Sequence, residues 1–460
     1  MKNRVLLSIV SLILVLILAI SITACIFENP QNTTNKNQNN ISAPDAEREP
    51  IDYTSSFLLI DALFKNFSIF DIDYETAMLA AIRAYVQATG DDYAMFYTTE
   101  EFEALTAENN GDFYGIGVQV IFDYDEYFIE VVLVMQDSPA LNIIQIGDKV
   151  THIFIDGEKR ALADIVEEFR VKSADLYPTY TAEEINNVAC YETFQYAIAN
   201  LKGPEGTYAK FTVERDGSYI DYEIKRAKVK TVSVTGKQSI RDSKVGIISI
   251  SEFDLTTPTQ FKSCMDTLIS SGCNKFVFDV RNNPGGDLAS VVAVLSTLLN
   301  EGDVILSTKN SSGAVEVTKA VPVTYSSDYS TCTITKSELG MYGKYEMVVL
   351  ADNNSASAAE LFTAALRDHG KAKIVGLNTY GKGSVQSFVP LSYYGDDYYG
   401  AIKLTTKLYF PPCGVGYDGG IGIAPDYHVE LEGEAADTHF YKLTEEIDNQ
   451  LQKAVSVLID

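Results

Sequence analysis

The spacing of apolar residues changes in blocks along the chain. Between Asp73 and Gly90, apolar residues recur every three or four positions, which predicts an amphipathic helix. From Phe113 to about Lys230, apolar and polar residues alternate between glycine-containing turns, a pattern typical of short strands. From Val245 onward, strand-like runs alternate with helix-like runs. The pattern therefore predicts a mixed α/β protein of several domains.

Five segments follow from this pattern. We place a helical N-terminal region at residues 53–112, a β-rich domain at 113–232 with an inserted segment at about 158–202, an α/β core at 233–432 and a C-terminal helix at 433–460. In the core, the loops at strand ends are expected to carry function, as they do in other α/β proteins.

The first 25 residues read as an export signal. Lys2 and Arg4 precede an almost unbroken apolar run from residue 5 to 22, and Ile-Thr-Ala-Cys at its end resembles the bacterial lipobox. Residues 1–24 are thus interpreted as a lipoprotein signal peptide. We expect Cys25 to be lipidated and to tether the exported protein to the outer face of a bacterial cell membrane. An uncleaved transmembrane anchor is the alternative.

Composition excludes some partners. The 460 residues include 63 acidic side chains against 36 Lys plus Arg, so the formal charge is −27. Phosphate backbones repel such a polyanion, and a nucleic-acid partner is not expected. Apolar residues at 46% are too many for a disordered chain. Only residues 25–52, rich in Asn, Gln, Thr and Pro, read as a flexible stalk.

Metal and disulfide chemistry are not expected. Besides Cys25 there are five cysteines, widely spaced and odd in number, and no Cys/His cluster accompanies them. The whole chain has only four histidines. We therefore expect no metal and no organic cofactor.

Three loops after apolar strand-like runs carry residues suited to catalysis. The first, from Arg281 to Gly286, ends in paired glycines that let backbone N–H groups point at an anion. The second places Ser355 and Ser357 among alanines where a helix begins, so that helix amides can support an oxyanion. The alternative is that both serines only cap the helix. In the third, Lys382 stands between two glycines that permit tight bends.

A histidine base for Ser357 is not expected, because His152, His428 and His439 have no motif around them and His369 is too far away. His369 lies 12 residues further along the same predicted helix, which is about 18 Å at ~1.5 Å per residue. Lys382 remains, and desolvation would lower its pKa enough for it to remove the serine proton. Gln386 is placed to accept a hydrogen bond from its ammonium.

The three motifs, in this order, resemble those of the carboxy-terminal processing (tail-specific) serine peptidases over roughly residues 60 to 430. The segments 91–97, 115–118 and 420–426 also resemble that family. The resemblance implies a peptidase whose site residues are the nucleophile Ser357, the base Lys382, the supporting Gln386, and an oxyanion hole made by Ala358 with Gly286 in preference to Gly285.

The resemblance further implies that the β-rich block is a PDZ domain inserted into the peptidase. Such domains add a peptide as an extra strand and hold its C-terminal carboxylate in backbone amides, here those of Gly115, Ile116, Gly117 and Val118. Proteins with exposed C-terminal tails would be the substrates, and a homodimer is compatible with the family. The inserted segment at 158–202 is expected to cover the peptide groove.

Two other functions stay open on the residues alone. One is a non-catalytic PDZ adaptor built on a protease scaffold. The other is a Ser-Lys hydrolase that acts on cell-wall peptides, which fits the dyad but gives the PDZ domain no role.

Overall fold

The computed structural model describes residues 53–109, 114–176, 180–229, 231–326, 331–395 and 398–459. The predicted signal peptide, Cys25 and the whole stalk lie outside these residues. The chain divides into two compact units, residues 1–73 and 74–460, which are described separately. Within the described ranges, no helix combines the length and apolar character needed to cross a membrane.

The first unit contributes one described helix, α1 (Thr54–Phe67). Its apolar side chains are largely exposed, including Phe57, Leu58, Leu59, Ile60, Leu63 and Phe64.

The second unit begins with the predicted amphipathic helix. This helix, α2, spans Tyr74–Gln87 and is followed by the short strand β1 (Met95–Tyr97) and helix α3 (Thr99–Asn109). β1 pairs antiparallel with a strand near the other end of the chain, with Phe96 opposite Ile402. The N-terminal helical region is therefore joined by a sheet to the segment that follows the lysine loop.

The β-rich region is an antiparallel sheet with two helices packed on it. Its elements are β2 (Tyr114–Gly115), β3 (Val118–Phe122), β4 (Ile129–Val134), β5 (Lys149–Ile155), β6 (Glu158–Ala161), α4 (Leu162–Leu176), α5 (Ala182–Leu201), β7 (Tyr208–Arg215), β8 (Ser218–Lys225) and β9 (Ala227–Lys228). The sheet has the strand order β3-β4-β5-β7-β8, with β6 beside β5. Each of the five strands in that order contributes at least one buried side chain to the core.

The segment predicted as an insertion is part of this region's hydrophobic core. Leu162 and Val166 of α4, with Ala189 and Ala197 of α5, are buried against the sheet. Because these small and branched side chains fill the core, the two helices belong to the domain itself.

The α/β core is built on a six-stranded sheet in the order β10-β11-β12-β17-β18-β21, parallel except for β10. Its six strands are β10 (Val234–Gln238), β11 (Val245–Ile250), β12 (Lys275–Asp279), β17 (Glu346–Ala351), β18 (Ala372–Gly376) and β21 (Tyr427–His428). The four central strands are largely buried on both faces, which is why they read as continuous apolar runs. The edge strands β10 and β21 are largely exposed. The fold is thus the mixed α/β class that the sequence predicts.

Helices cover both faces of this sheet. One face packs against α6 (Thr257–Ser270), α7 (Leu288–Leu298) and α8 (Ala358–Asp368). The other face packs against α9 (Asn449–Ile459) through Leu451, Val455 and Leu458. The predicted C-terminal helix is therefore shorter than 433–460, since only 3-10 turns precede Asn449 in that segment.

A second sheet lies beside the first and carries the segment after the lysine loop. Its strand β20 (Ala401–Phe410) pairs with β1, with β13 (Val304–Asn310) and with β19 (Ser384–Pro390), while β14 (Val315–Lys319) pairs with β13. A separate hairpin joins β15 (Val323–Ser326) to β16 (Thr331–Ile334).

A buried ion triad fastens α9 to the core. The Arg281 guanidinium donates to the Asp279 carboxylate at 2.8 and 3.0 Å and to the Asp448 carboxylate at 2.7 and 3.2 Å. All three side chains are buried. The arrangement holds the loop after β12, which belongs to the candidate site, against the start of α9.

Candidate active site

The loops that leave the carboxyl ends of β11, β12, β17 and β18 meet at one edge of the parallel sheet, where α/β proteins bind ligands. They border a cavity of about 750 Å³. Its lining includes Gly286, Ser357, Ala358, Lys382, Gln386 and Tyr409. The structure therefore brings together every catalytic residue predicted from the sequence and two of the three predicted oxyanion residues.

Ser357 stands at the sharp turn between β17 and α8. Its backbone adopts φ +53° and ψ −115°, a left-handed conformation that costs a non-glycine residue free energy. Such strained turns lift a nucleophile out of the backbone and expose its oxygen at the top of a sheet. The Ser357 side chain accordingly faces the cavity.

Ser355 has a different environment. It is fully buried, and its hydroxyl donates to the Val280 carbonyl at 2.8 Å and accepts from the Asp352 amide at 2.9 Å. Because both bonds stay inside the protein, Ser355 holds the loop in shape and does not reach the cavity.

Two backbone amides next to Ser357 can receive an anion. Within the described residues, neither the Ala358 amide nor the Gly286 amide donates to another group of the chain. The Gly285 amide is engaged, since it donates to Asn283 Oδ1 at 2.8 Å. Gly285 instead allows close packing, because a side chain there would place its Cβ 2.7 Å from that of Ser357.

The loop that carries Lys382 is held tightly on both sides. Gly381 has φ +92°, and an added Cβ would lie 2.6 Å from the Gly420 backbone. The Gly383 amide donates to Asp418 Oδ1 at 2.7 Å. These contacts explain why only glycines flank the lysine.

The Lys382 side chain rests against an aromatic ring from the N-terminal region. Its Nζ lies 4.4 Å from the centre of the Tyr93 ring, within the range of a cation–π interaction. In the part of the chain that the structure describes, no hydrogen bond joins this nitrogen to Ser357. The structure thus places Ser357 and Lys382 in one cavity, with the Lys382 ammonium held on Tyr93.

Several groups act on the charge of Lys382. Burial lowers the pKa of its ammonium most strongly, and the positive charge of Lys403 lowers that pKa further. The carboxylate of Glu360 raises it and so offsets part of the effect. The pKa of the Tyr93 phenol is raised to about 12, chiefly by burial, so this neighbour stays uncharged. The net direction favours a neutral, basic lysine.

Gln386 is oriented by a chain of hydrogen bonds that ends in the N-terminal region. Its Nε2 donates to Ser384 Oγ at 3.0 Å and to Thr405 Oγ1 at 3.1 Å. The Thr405 hydroxyl donates to Asp91 Oδ1 at 2.9 Å, and the Thr405 amide donates to Asp91 Oδ2 at 2.7 Å. The Gln386 carboxamide oxygen takes part in none of these bonds.

A separate groove of about 320 Å³ follows the predicted peptide-binding segment. Gly115, Ile116, Gly117 and Val118 line it on one side, and Phe194 and Ile198 of α5 belong to its lining as well. Helix α5 is therefore a wall of this groove. Thr231 and Glu252 line both the groove and the active-site cavity, so the two spaces adjoin.

No histidine is among the described residues that line the cavity. Among the described residues, no group of three or more His, Cys, Asp and Glu side chains is arranged to hold a metal ion. His369 follows the last residue of α8, and its Nε2 lies 2.7 Å from the Val304 carbonyl oxygen.

Three residues of the site were not predicted from the sequence. Asp91 and Tyr93 reach it from a segment more than 250 residues before Ser357. The family resemblance of residues 91–97 marks this segment but gives neither residue a role. Glu360 has a signal, because Ser-x-x-Glu at the start of a helix is a capping box. Its amide partner is Ser357, whose N–H donates to Glu360 Oε2 at 2.9 Å.

Comparison with known proteins bears on the same residues. Residues 244–429 match Peptidase family S41, a range that contains Gly286, Ser357, Lys382 and Gln386. A "Probable CtpA-like serine protease" of Staphylococcus aureus (strain N315) is 27% identical over 358 residues, covering 78% of this chain and 61% of that protein. Its namesake in Staphylococcus saprophyticus is 28% identical over 362 residues, covering 78% and 62%. The chain thus spans less than two thirds of the length of these relatives.

A solved structure shares the fold. The crystal structure described as "Putative S41 protease from Bacteroides fragilis NCTC 9343" aligns with a TM-score of 0.50 at 15% identity, over 90% of this chain and 99% of that chain. At this identity the likeness concerns the fold alone. The family match and the relatives confirm the resemblance predicted from the three motifs: residues 244–429 are similar to peptidase family S41, and the relatives are named as "CtpA-like" serine proteases.

Proposed function

We propose that this protein is a serine endopeptidase of the carboxy-terminal processing type, with Ser357 and Lys382 as its dyad. One observation carries the proposal: loops from different strands surround a single cavity with Ser357, Lys382 and the two unengaged amides of Gly286 and Ala358. This is the set of groups that acyl transfer requires, namely a nucleophile, a base and an oxyanion hole.

In the first half of the reaction, neutral Lys382 takes the Ser357 proton while Oγ attacks the substrate carbonyl carbon. The carbonyl oxygen becomes an anion and accepts hydrogen bonds from the Gly286 and Ala358 amides. Lys382 then returns the proton to the leaving amine, and the C–N bond breaks to give an acyl-enzyme. For these steps the lysine side chain leaves the Tyr93 ring and turns toward Ser357.

In the second half, Lys382 removes a proton from water, and the resulting hydroxide attacks the ester carbon. The same amides hold the second oxyanion. Collapse of the intermediate returns the proton to Ser357 Oγ and frees the new C-terminal carboxylate. Gln386, held by Thr405, keeps its carboxamide oxygen available to accept a hydrogen bond from the Lys382 ammonium.

The β-rich region is proposed to be a PDZ domain that binds the C-terminal tail of a substrate protein. Supporting this, the groove beside Gly115–Val118 is walled by apolar side chains of α5. The amides of Ile116 and Gly117 donate to no other group among the described residues, so a tail carboxylate can take both. Because the groove adjoins the catalytic cavity, a tail bound there lies near Ser357.

The tail-binding proposal has a matched pair of variants. Ile198→Gln places a polar side chain in the groove. Ala199→Gln introduces the same side chain at the next position of α5, which is exposed and does not line the groove. We expect only the first to raise KM for a peptide that ends in apolar residues. Equal KM values for the two variants would reject the groove as the tail site.

The protein is proposed to be exported and held at the outer face of the cell membrane by a lipid on Cys25. The support is the sequence alone, a positive start, an apolar run and a lipobox-like ending. Cys25→Ser should abolish labelling by radioactive palmitate and release the protein from the membrane fraction. Retention of that variant in membranes would favour a transmembrane anchor.

A homodimer is the assembly that we propose for the mature protein. The family resemblance suggests it, and the exposed apolar side chains of α1 are consistent with it. Light scattering behind a sizing column should give twice the mass of the mature chain, and a monomeric mass at micromolar concentration would reject the dimer.

The catalytic proposal is tested with Ser357→Ala and Lys382→Ala, and with Lys309→Ala as an exposed lysine control on β13. Casein hydrolysis and labelling by a fluorophosphonate probe should be lost in the two site variants and unchanged in the control. A wild-type protein that binds tails but is neither labelled nor active is an adaptor. One that cleaves muropeptides and leaves casein intact is a cell-wall hydrolase.

A further inference from the structure

Glu360 is a buried carboxylate with no assigned part in the proposed reaction. It is fully buried in the first turn of α8. Its Oε1 accepts from Thr379 Oγ1 at 2.6 Å and from the Gly381 amide at 2.7 Å. Its Oε2 accepts from the Ser357 amide at 2.9 Å and from the Lys382 amide at 2.8 Å. Four donors fill the acceptor positions of an ionised carboxylate.

These four bonds join two segments that are far apart in sequence. Ser357 belongs to the turn after β17, and the other three donors belong to the loop after β18. A single oxygen, Oε2, receives the backbone amides of both Ser357 and Lys382. The distance between the two backbones is thus set through one atom.

An ordinary helix cap does not need this arrangement. Glu184 has the same capping-box position at the start of α5, and among the described residues it accepts from the amide and hydroxyl of Thr181 alone. Glu184 is exposed, whereas Glu360 is buried and has three donors outside its own helix. A buried carboxylate is costly unless it is fully hydrogen-bonded, so its retention here calls for a role beyond capping.

We propose that Glu360 is a positioning residue that fixes the strained Ser357 turn against the Lys382 loop, so that nucleophile and base keep the separation that proton transfer requires. This inference rests on the proposed dyad. The Glu360 carboxylate has a second effect, because its negative charge stabilises the nearby Lys382 ammonium and raises its pKa.

The test compares Glu360→Gln with Glu184→Gln. The first keeps the shape of the side chain but replaces one acceptor oxygen by an NH₂ group, which cannot serve the two donors there. We expect kcat, normalised to sites titrated with a fluorophosphonate, to fall about 100-fold in Glu360→Gln, as expected for a misplaced catalytic group. KM should stay within about threefold, because the cavity walls are unchanged. Glu184→Gln should match the wild type.

The pH dependence of kcat/KM distinguishes a positioning role of Glu360 from a role in protein stability alone. Removing the negative charge lowers the pKa of Lys382, so the rising limb of kcat/KM should move to lower pH in Glu360→Gln. A variant that melts at a lower temperature but keeps the wild-type kcat per titrated site and the wild-type limb would show that Glu360 only caps the helix.

A second variant covers the case in which Glu360→Gln does not fold. Glu360→Asp keeps the charge but is too short to reach all four donors, so it should keep the wild-type limb and lose kcat. Wild-type kcat in Glu360→Asp would overturn the proposal. If the wild-type protein itself is not labelled at Ser357, the proposed dyad fails, and that result is distinct from both outcomes above.

Discussion

Lys382 Nζ lies 4.4 Å from the centre of the Tyr93 ring, so the proposed base is held by a residue of the N-terminal region. The ring face stabilises the ammonium by about 1 kcal/mol. Tyr93→Leu removes this stabilisation of the ammonium. Because the charged form is then less favoured, the pKa of Lys382 falls. We expect the rising limb of kcat/KM to move to lower pH by about half a unit or more.

Tyr93→Phe is the control for that prediction, because it keeps the ring and removes only the hydroxyl. The rising limb of kcat/KM in Tyr93→Phe should coincide with that of the wild type. A limb displaced to higher pH in Tyr93→Leu would show that the ring acts mainly by excluding water from Lys382.

Lys403 should affect the pKa of Lys382 in the direction opposite to Tyr93. Its positive charge lowers the pKa of Lys382, so Lys403→Gln raises that pKa and shifts the rising limb to higher pH. A shift of roughly half a unit corresponds to about threefold less activity at a pH below the limb. Steady-state kinetics between pH 6 and 10 measure it, with Lys309→Gln as the control. Identical profiles for both variants would remove Lys403 from the charge balance of the site.

Gly381→Ala should disable the lysine loop. The new Cβ would lie 2.6 Å from the Gly420 backbone, at a residue with φ +92°. Displacing the loop moves Lys382, and we expect kcat to fall about 100-fold. Gly272→Ala is the matched control, since its φ is +98° but nothing lies within 4 Å of the new Cβ. That control shares the backbone strain without the collision, so comparable activity in the two variants would contradict the prediction.

Ser357→Gly should be inactive and more stable than the wild type. Glycine adopts φ +53° without strain, which favours the variant, although its greater freedom in the unfolded chain offsets part of the gain. We expect the free energy of unfolding in urea to rise by about 1 kcal/mol. Ser355→Gly should instead destabilise, because it leaves the buried Asp352 amide without its acceptor and removes one of the two donors to the Val280 carbonyl. A destabilised Ser357→Gly would mean that the turn stores little strain.

Asp448→Ala should weaken the attachment of α9. Removing one carboxylate from a buried pair leaves Arg281 partly uncompensated, which costs about 3 to 5 kcal/mol. Lys373→Ala breaks an exposed pair with Asp426 at 3.2 Å and should change stability by less than about 1 kcal/mol. Urea unfolding of both proteins measures the contrast. Similar losses of unfolding free energy in the two variants would indicate that the triad adds little to stability.

The α/β core was predictable because parallel strands buried on both faces read as apolar runs. The predicted strand at 245–250 has those bounds in the structure. Ser357 and Lys382 could be predicted from the sequence for a related reason, since both lie in short loops directly after such strands. The long strand β20 was not predicted, because its half-buried residues, with polar groups on both faces, give no clear alternation.

The supporting residues were harder to find because their partners are distant in sequence. Asp91 and Thr405, which bond to each other, are 314 positions apart. Glu360 lies three positions after Ser357, and its capping signature predicts one amide partner. The other three donors come from a loop whose path depends on Gly420 and Asp418, and no local pattern reveals that path.

The pairing of β1 with β20 has a consequence for the time at which the site forms. A polypeptide is synthesised from its N-terminus, so Asp91 and Tyr93 emerge more than 250 residues before Lys382 and Gln386. Tyr93 can contact Lys382, and Asp91 can bond to the Thr405 that holds Gln386, only when residues 401–410 have paired with residues 95–97. Until then a nascent chain carries Ser357 without the framework that the proposed chemistry needs, so the proposed activity can arise only late in synthesis.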